Sequence, residues 1–474
     1  MVRYSDSSDS LNPKRVLGFR DLFLFYVVTG ISLRWIASAA TAGPSSIVIW
    51  LGAWLFFYVP LALSVIELSS RYPEEGGLYV WTRRAFGDFG GFLCAWIYWT
   101  SYFPYLPAVL YFAAGNALFI RPHAWGHLSQ SSAYYVGFSL IALTLAILLN
   151  VVGLDVGKWL HNLGALAMWT PVAIILVMGT IAWRRFGSAT SFTAQTLLPS
   201  VHFKEITFWA ILIFAFGGSE TASFLGGEIK GSRRTVPFAL LGAGLTIAAC
   251  YILGTVSILV ALPAEQVSNL QGLMQAIAKT AERIGWQSII PWAAVLITLS
   301  NVGATSAFLA ATSRLPFVAG VDHFLPPIFG RLHSRWRTPW FALCLQGALG
   351  VVFILIGQLG ESVPGAYDVL VSLGILTYFI PYLFLFAALF KLQSKSQSEP
   401  VVRVPGGRIV ARLVATVGFC TAAFAIVLSV LPDPDETRPV LAFFKIVIPV
   451  FVLIAVGAWI FWAGRKRAAH AAAK

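Results

Sequence analysis

Apolar residues run along this chain in blocks of about 20 or more, divided by short segments rich in charge, glycine and proline. A helix of about 20 apolar residues matches the hydrocarbon thickness of a bilayer. The pattern predicts twelve spans, at 21–42, 45–68, 88–119, 133–152, 158–183, 205–228, 236–261, 290–314, 339–358, 366–391, 409–430 and 440–462. The third run is too long to stand upright, so it is expected to tilt. The fold class that follows is an all-α integral membrane protein. Its expected organisation is a tail over 1–20, a ten-span core over 21–392, two added spans within 393–463 and a second tail over 464–474.

Composition narrows the alternatives. Hydrophobic residues make up 58%, charged residues 11%, and the mean hydropathy is +0.77. Soluble domains carry roughly 25% charged residues, and a water-exposed fold of this composition would aggregate. The net charge of +13 would point a soluble chain towards nucleic acid, but its distribution removes that need. With the N-terminus placed in the cytoplasm, 24 Lys and Arg fall on the inner side and 7 on the outer, leaving Arg34 and Lys445 within spans. That bias predicts an even number of spans, both termini cytoplasmic, and a multi-pass protein of the inner or plasma membrane with lipid around it and no nucleic-acid partner. Residues 1–20 lack the apolar core and cleavage site of a signal peptide. Cys94, Cys250, Cys344 and Cys420 all fall inside apolar runs and are expected to be small buried hydrophobes.

Two spans are interrupted. The first reads Val27-Val28-Thr29-Gly30-Ile31-Ser32-Leu33-Arg34, and the sixth Phe214-Ala215-Phe216-Gly217-Gly218-Ser219-Glu220. Glycine in a helix costs roughly 1 kcal/mol relative to alanine, and a charge follows each break. Packing glycines explain one such span. Two of them, five spans apart, mark the broken helices of an inverted-repeat transporter, with spans one to five and six to ten as the repeats. Opened backbone presents N–H groups and a positive helix end to a carboxylate, and its freed carbonyls accept from an ammonium. The expected substrate is therefore an amino acid. Its candidate contacts are Thr29, Gly30, Ile31, Ser32, Arg34, Ala215, Phe216, Gly217, Gly218 and Ser219.

Several motifs carry a resemblance. Phe214 to Glu220, then Gly227-Glu228-Ile229-Lys230-Gly231-Ser232-Arg233-Arg234-Thr235-Val236-Pro237, resembles the sixth-span signature of the amino acid–polyamine–organocation superfamily. Glu67-Leu68-Ser69-Ser70-Arg71-Tyr72-Pro73-Glu74-Glu75-Gly76-Gly77, Ser313-Arg314-Leu315-Pro316-Phe317 and Thr338-Pro339 are similar to the family at the second and eighth spans. The resemblance covers nearly the whole chain. It implies an amino acid or a related amine as substrate and a five-plus-five inverted repeat like that of the bacterial leucine transporter, working by alternating access, nearest to the glutamate:GABA antiporter-like and polyamine-transporter-like branches. This chain departs from the pattern in three places. Val28 stands where the first-span motif has its first glycine, Ser219 replaces an aromatic that would cap the site, and Met168 falls near a lysine that serves proton coupling in some members.

Glu220 is the candidate coupling group: a carboxyl at a helix break either cycles a proton or pins the break by bonding to backbone. Arg34 either meets a substrate anion or pairs with Glu220, and a fixed cation at that depth disfavours a polyamine. Glu67 and Arg71, one turn apart, read as a structural pair. Ser300, Thr305 and Ser306 offer oxygens to a sodium ion or serve as helix–helix contacts. No catalytic set, metal spacing or nucleotide loop is present, so neither an enzyme nor a cofactor is expected. The rival readings are a polyamine or organocation transporter of the same fold and a nutrient receptor that binds without transporting.

Overall fold

The computed structural model describes residues 16–74, 76–200, 203–267, 271–322, 324–358, 363–395, 401–431 and 439–472. Most of the expected N-terminal tail and residues 473–474 lie outside them. All regular elements among these residues are helical. In chain order they are α1 (Phe19–Gly30), α2 (Leu33–Thr41), α3 (Ser46–Arg71), α4 (Leu78–Ala117), α5 (Ser132–Val152), α6 (Leu154–Phe186), α7 (Phe203–Phe214), α8 (Ser232–Ala261), α9 (Gly272–Ile284), α10 (Ile289–Thr312), α11 (Arg314–Val321), α12 (Trp340–Gln358), α13 (Val363–Leu392), α14 (Gly407–Val430) and α15 (Pro439–Ala472).

Ten of the described segments are long and apolar enough to cross a membrane, counting α1 and α2 as one. Twelve were expected, and the two that fall short are informative. The sixth run is not one helix: α7 has 12 residues, and after a turn the chain continues as a 3-10 segment, Thr221–Glu228. The ninth forms α12, whose apolar stretch reaches only from Trp340 to Leu355. α4 divides at Gly87, at φ 83° and ψ −178°, so a short arm precedes the run expected at 88–119. α9 is too short to cross; it buries Leu273, Ile277, Thr280 and Ile284, one face at helical spacing.

α13 packs along α4, α10 lies against α6 and α4, and α1 is held between α6 and α8. These helices form the centre. Leu145, Leu148, Trp159, Leu245, Leu413 and Trp459 point outwards, as lipid-facing positions should. Cys94 and Cys250 are buried as expected, but Cys344 and Cys420 are exposed on α12 and α14. An apolar run does not distinguish a face turned to lipid from one turned inwards.

Glu67 accepts from Arg71 at 2.7 Å with both side chains 2% exposed. Arg71 also donates to the carbonyls of Gln393 and Lys395, and Glu67 accepts from the Val404 N–H. The pair therefore ties the end of α3 to the chain between α13 and α14.

Candidate functional site

The two breaks meet. α1 ends at Gly30 and α2 starts at Leu33, leaving Ile31 and Ser32 extended. α7 ends at Phe214, and the chain turns through Ala215–Glu220. Gly218 has φ 101°, and a Cβ there would lie 2.5 Å from the Thr29 carbonyl oxygen. Only glycine permits that approach. The glycines do pack, and what they pack is one broken helix against the other.

Tyr251 of α8 stitches both breaks. Its hydroxyl accepts from the Ser32 N–H at 3.0 Å and lies 3.0 Å from the carbonyl oxygens of Gly30 and Ala215. Its ring stacks on Trp50, with centroids 4.5 Å apart. Tyr251→Phe keeps the ring and strands these backbone groups, so thermal unfolding in detergent should show a loss of about 1–3 kcal/mol.

Thr29, Gly30, Ser32, Ala215 and Gly217 line one small cavity, walled by Trp35, Tyr105, Phe214, Phe308 and Tyr378. It has about 10 Å³ open to the centre of a water molecule, roughly the room of a single water. Ile31, Phe216, Gly218, Ser219, Arg34 and Glu220 stand behind this wall. Phe216, for example, packs edge-on against Trp50 and Tyr251.

Glu220 is fully buried. Its Oε1 accepts from the hydroxyls of Tyr98 (α4), Tyr378 and Tyr382 (α13), the last two at 2.9 Å. Tyr102 joins the cluster at 3.1 Å from Tyr98 and 3.3 Å from Tyr378. Tyr382 also accepts from the Gly218 N–H at 3.1 Å. The other carboxyl oxygen, Oε2, is buried without a hydrogen-bond partner. Three phenol donors stabilise a carboxylate in a dry interior, while the bare oxygen is a place for a proton. Tyr378 both lines the cavity and donates to Glu220.

Arg34 is also fully buried; the polar group beside it is the Tyr105 hydroxyl, and no carboxylate pairs with its guanidinium. It lies 3.9 Å over Trp35 and 4.9 Å over Tyr105. Such contacts give about 2 kcal/mol when desolvated, less than the several kcal/mol that burial of a cation costs. The Arg34–Glu220 pair weighed from the sequence does not form. Among the described residues, the remaining buried charges pair with each other, Glu67 with Arg71 and Glu228 with Arg314.

The basic end of the bundle is shut. The N–H groups of Val16 and Leu17 donate to the Glu228 carbonyl, and the Lys230 N–H returns to Leu17. Arg314 meets the Glu228 carboxylate at 2.8 Å with both side chains at most 7% exposed. Arg83 reaches Asp322 at 2.6 Å, and Tyr79 donates to the same oxygen. Arg314→Gln removes the buried guanidinium that meets the Glu228 carboxylate. A loss of roughly 3–5 kcal/mol is expected in thermal unfolding.

The hydroxyls considered for sodium are hydrogen-bonded within the bundle. Ser300 and Thr305 donate to carbonyls of their own helix. Ser306 accepts from Asn150 at 2.7 Å and lies 3.2 Å from His161 Nε2. Sequence reasoning missed Tyr251, Tyr378 and Tyr382. The one available signal was Tyr378-x-x-x-Tyr382, two hydroxyls one turn apart in an otherwise apolar run.

A family profile described as amino acid permease matches residues 17–456. An uncharacterized transporter of Legionella pneumophila is 28% identical, over 95% of this chain and 97% of its own. The serine/threonine exchanger SteT of Bacillus subtilis is 27% identical, over 78% and 81%. The probable agmatine/putrescine antiporter AguD of Lactococcus lactis is 22% identical, over 89% of each chain. With two broken helices meeting around one closed cavity, and a match along nearly its whole length, this chain belongs to the amino acid permease family of the amino acid–polyamine–organocation superfamily.

Proposed function

We propose that the protein is a secondary transporter that carries an amino acid across the plasma membrane by alternating access. Its core, residues 21–392, would be a five-plus-five inverted repeat, with two further helices after it and both termini in the cytoplasm. The observation that carries this reading is the junction of the two breaks. Broken backbone at Thr29, Gly30 and Ser32 meets turning backbone at Ala215 and Gly217 around one cavity, walled by aromatic rings. Amino and carboxylate groups of a substrate match the carbonyls and N–H groups of such backbone. The cavity's small size fits an occluded state that must open to load. Glu220 is the coupling group in this reading, binding a proton at Oε2 while the tyrosines hold Oε1.

The test is uptake by proteoliposomes of labelled amino acids and putrescine, under a proton gradient, a sodium gradient or neither. Saturable uptake of at least one amino acid, raised by the proton gradient or by internal amino acid, is expected. Uptake of putrescine with no amino acid transported would contradict the reading. A strict sodium requirement would move coupling away from Glu220.

A further inference from the structure

Arg34 is the second residue of α2, and the residue capping that helix, Ser32, lines the cavity. The positive end of the helix dipole and a guanidinium therefore stand together beside the substrate space. The rings that cover the guanidinium, Trp35 and Tyr105, are themselves walls of the cavity. Every other buried charged side chain among the described residues has either an ion pair or, for Glu220, three phenol donors. Arg34 has neither.

We propose that Arg34 recognises a second carboxylate, so that the transported substrate is an acidic amino acid carried together with a proton. This rests on the permease reading above. Charge balance in the occluded site supports it. With the site empty, the Arg34 cation and an ionised Glu220 offset each other. An acidic amino acid adds one net negative charge, and protonation of Glu220 restores neutrality. A neutral amino acid needs no proton to keep that balance, and its one carboxylate is already matched by the opened backbone, which leaves none for Arg34. In a low-dielectric interior such differences are large. Loading of the acidic substrate and of the proton are thereby linked.

The experiment compares isosteres in proteoliposomes: glutamate against glutamine, and aspartate against asparagine, as competitors and as labelled substrates. The acidic member of at least one pair should be preferred by tenfold or more. Arg34→Gln should reduce that ratio to about one, and Arg34→Lys, which keeps the charge, should retain part of it. Should Arg34→Gln fail to fold, the wild-type ratio and the Lys variant decide. A wild type that takes the neutral members as well or better overturns the inference and leaves the permease reading standing. A wild type that transports no amino acid overturns both.

Discussion

Glu220→Gln should abolish accumulation against a gradient while sparing exchange. Glutamine keeps the volume, and its carbonyl oxygen still accepts from Tyr98, Tyr378 and Tyr382, the partners of Glu220 Oε1. It cannot release and rebind a proton. A pH difference of one unit stores about 1.4 kcal/mol per proton, enough for about tenfold accumulation of a substrate that moves with one proton. In the variant that ratio is expected to fall to about one, with homoexchange near the wild-type rate. Accumulation that survives in Glu220→Gln would place coupling at another group. Glu220→Ala, by contrast, removes the shared acceptor of three buried hydroxyls and leaves a cavity among them, so it should lose stability as well as coupling.

Gly218→Ala should have the second large effect. The new Cβ would press on the Thr29 carbonyl oxygen at a backbone angle of φ 101°. The left-handed conformation costs roughly 1–2 kcal/mol for a residue with a side chain, and overpacking typically adds 1–3 kcal/mol. A total of roughly 3 kcal/mol corresponds to about a hundredfold in affinity. Binding should weaken by that order, because the two breaks are pushed apart where the substrate must touch both. Gly52→Ala is the control: its Cβ would meet nothing within 4 Å, and uptake should be unchanged. Equal effects at the two glycines would show that helix propensity matters at Gly218 and the approach to Thr29 does not.

Much of the architecture was legible because bilayer thickness imposes one length on every spanning run. Runs such as 133–152 and 409–430 became α5 and α14 almost to the residue. The breaks at Gly30 and Gly217-Gly218 were legible because glycine and small polar residues are out of place in an apolar helix. The sixth run was harder. Its break was legible, but not that the chain beyond it continues as a 3-10 segment, Thr221–Glu228, in place of a second α-helical half. The partners of Glu220 were not legible for a different reason. Tyr98 lies 122 residues away in sequence, Tyr378 158 and Tyr382 162, and nothing local at those tyrosines separates a packing ring from a proton-bearing cluster. Arg34 shows the opposite case. Its oddity was plain from the sequence, but whether Glu220 neutralised it was a question of geometry.

We propose that the substrate sits between the two breaks, and the most direct measurement of this is substrate protection of a thiol placed there. In a chain whose four native cysteines are replaced, Ser32→Cys and Ala215→Cys, made one at a time, put a thiol on each side of the cavity. Both should react with a small membrane-permeant maleimide in proteoliposomes, and saturating transported amino acid should slow that reaction by about tenfold at both positions. Full transport activity with no protection at either position would contradict the claim and place the substrate elsewhere in the bundle.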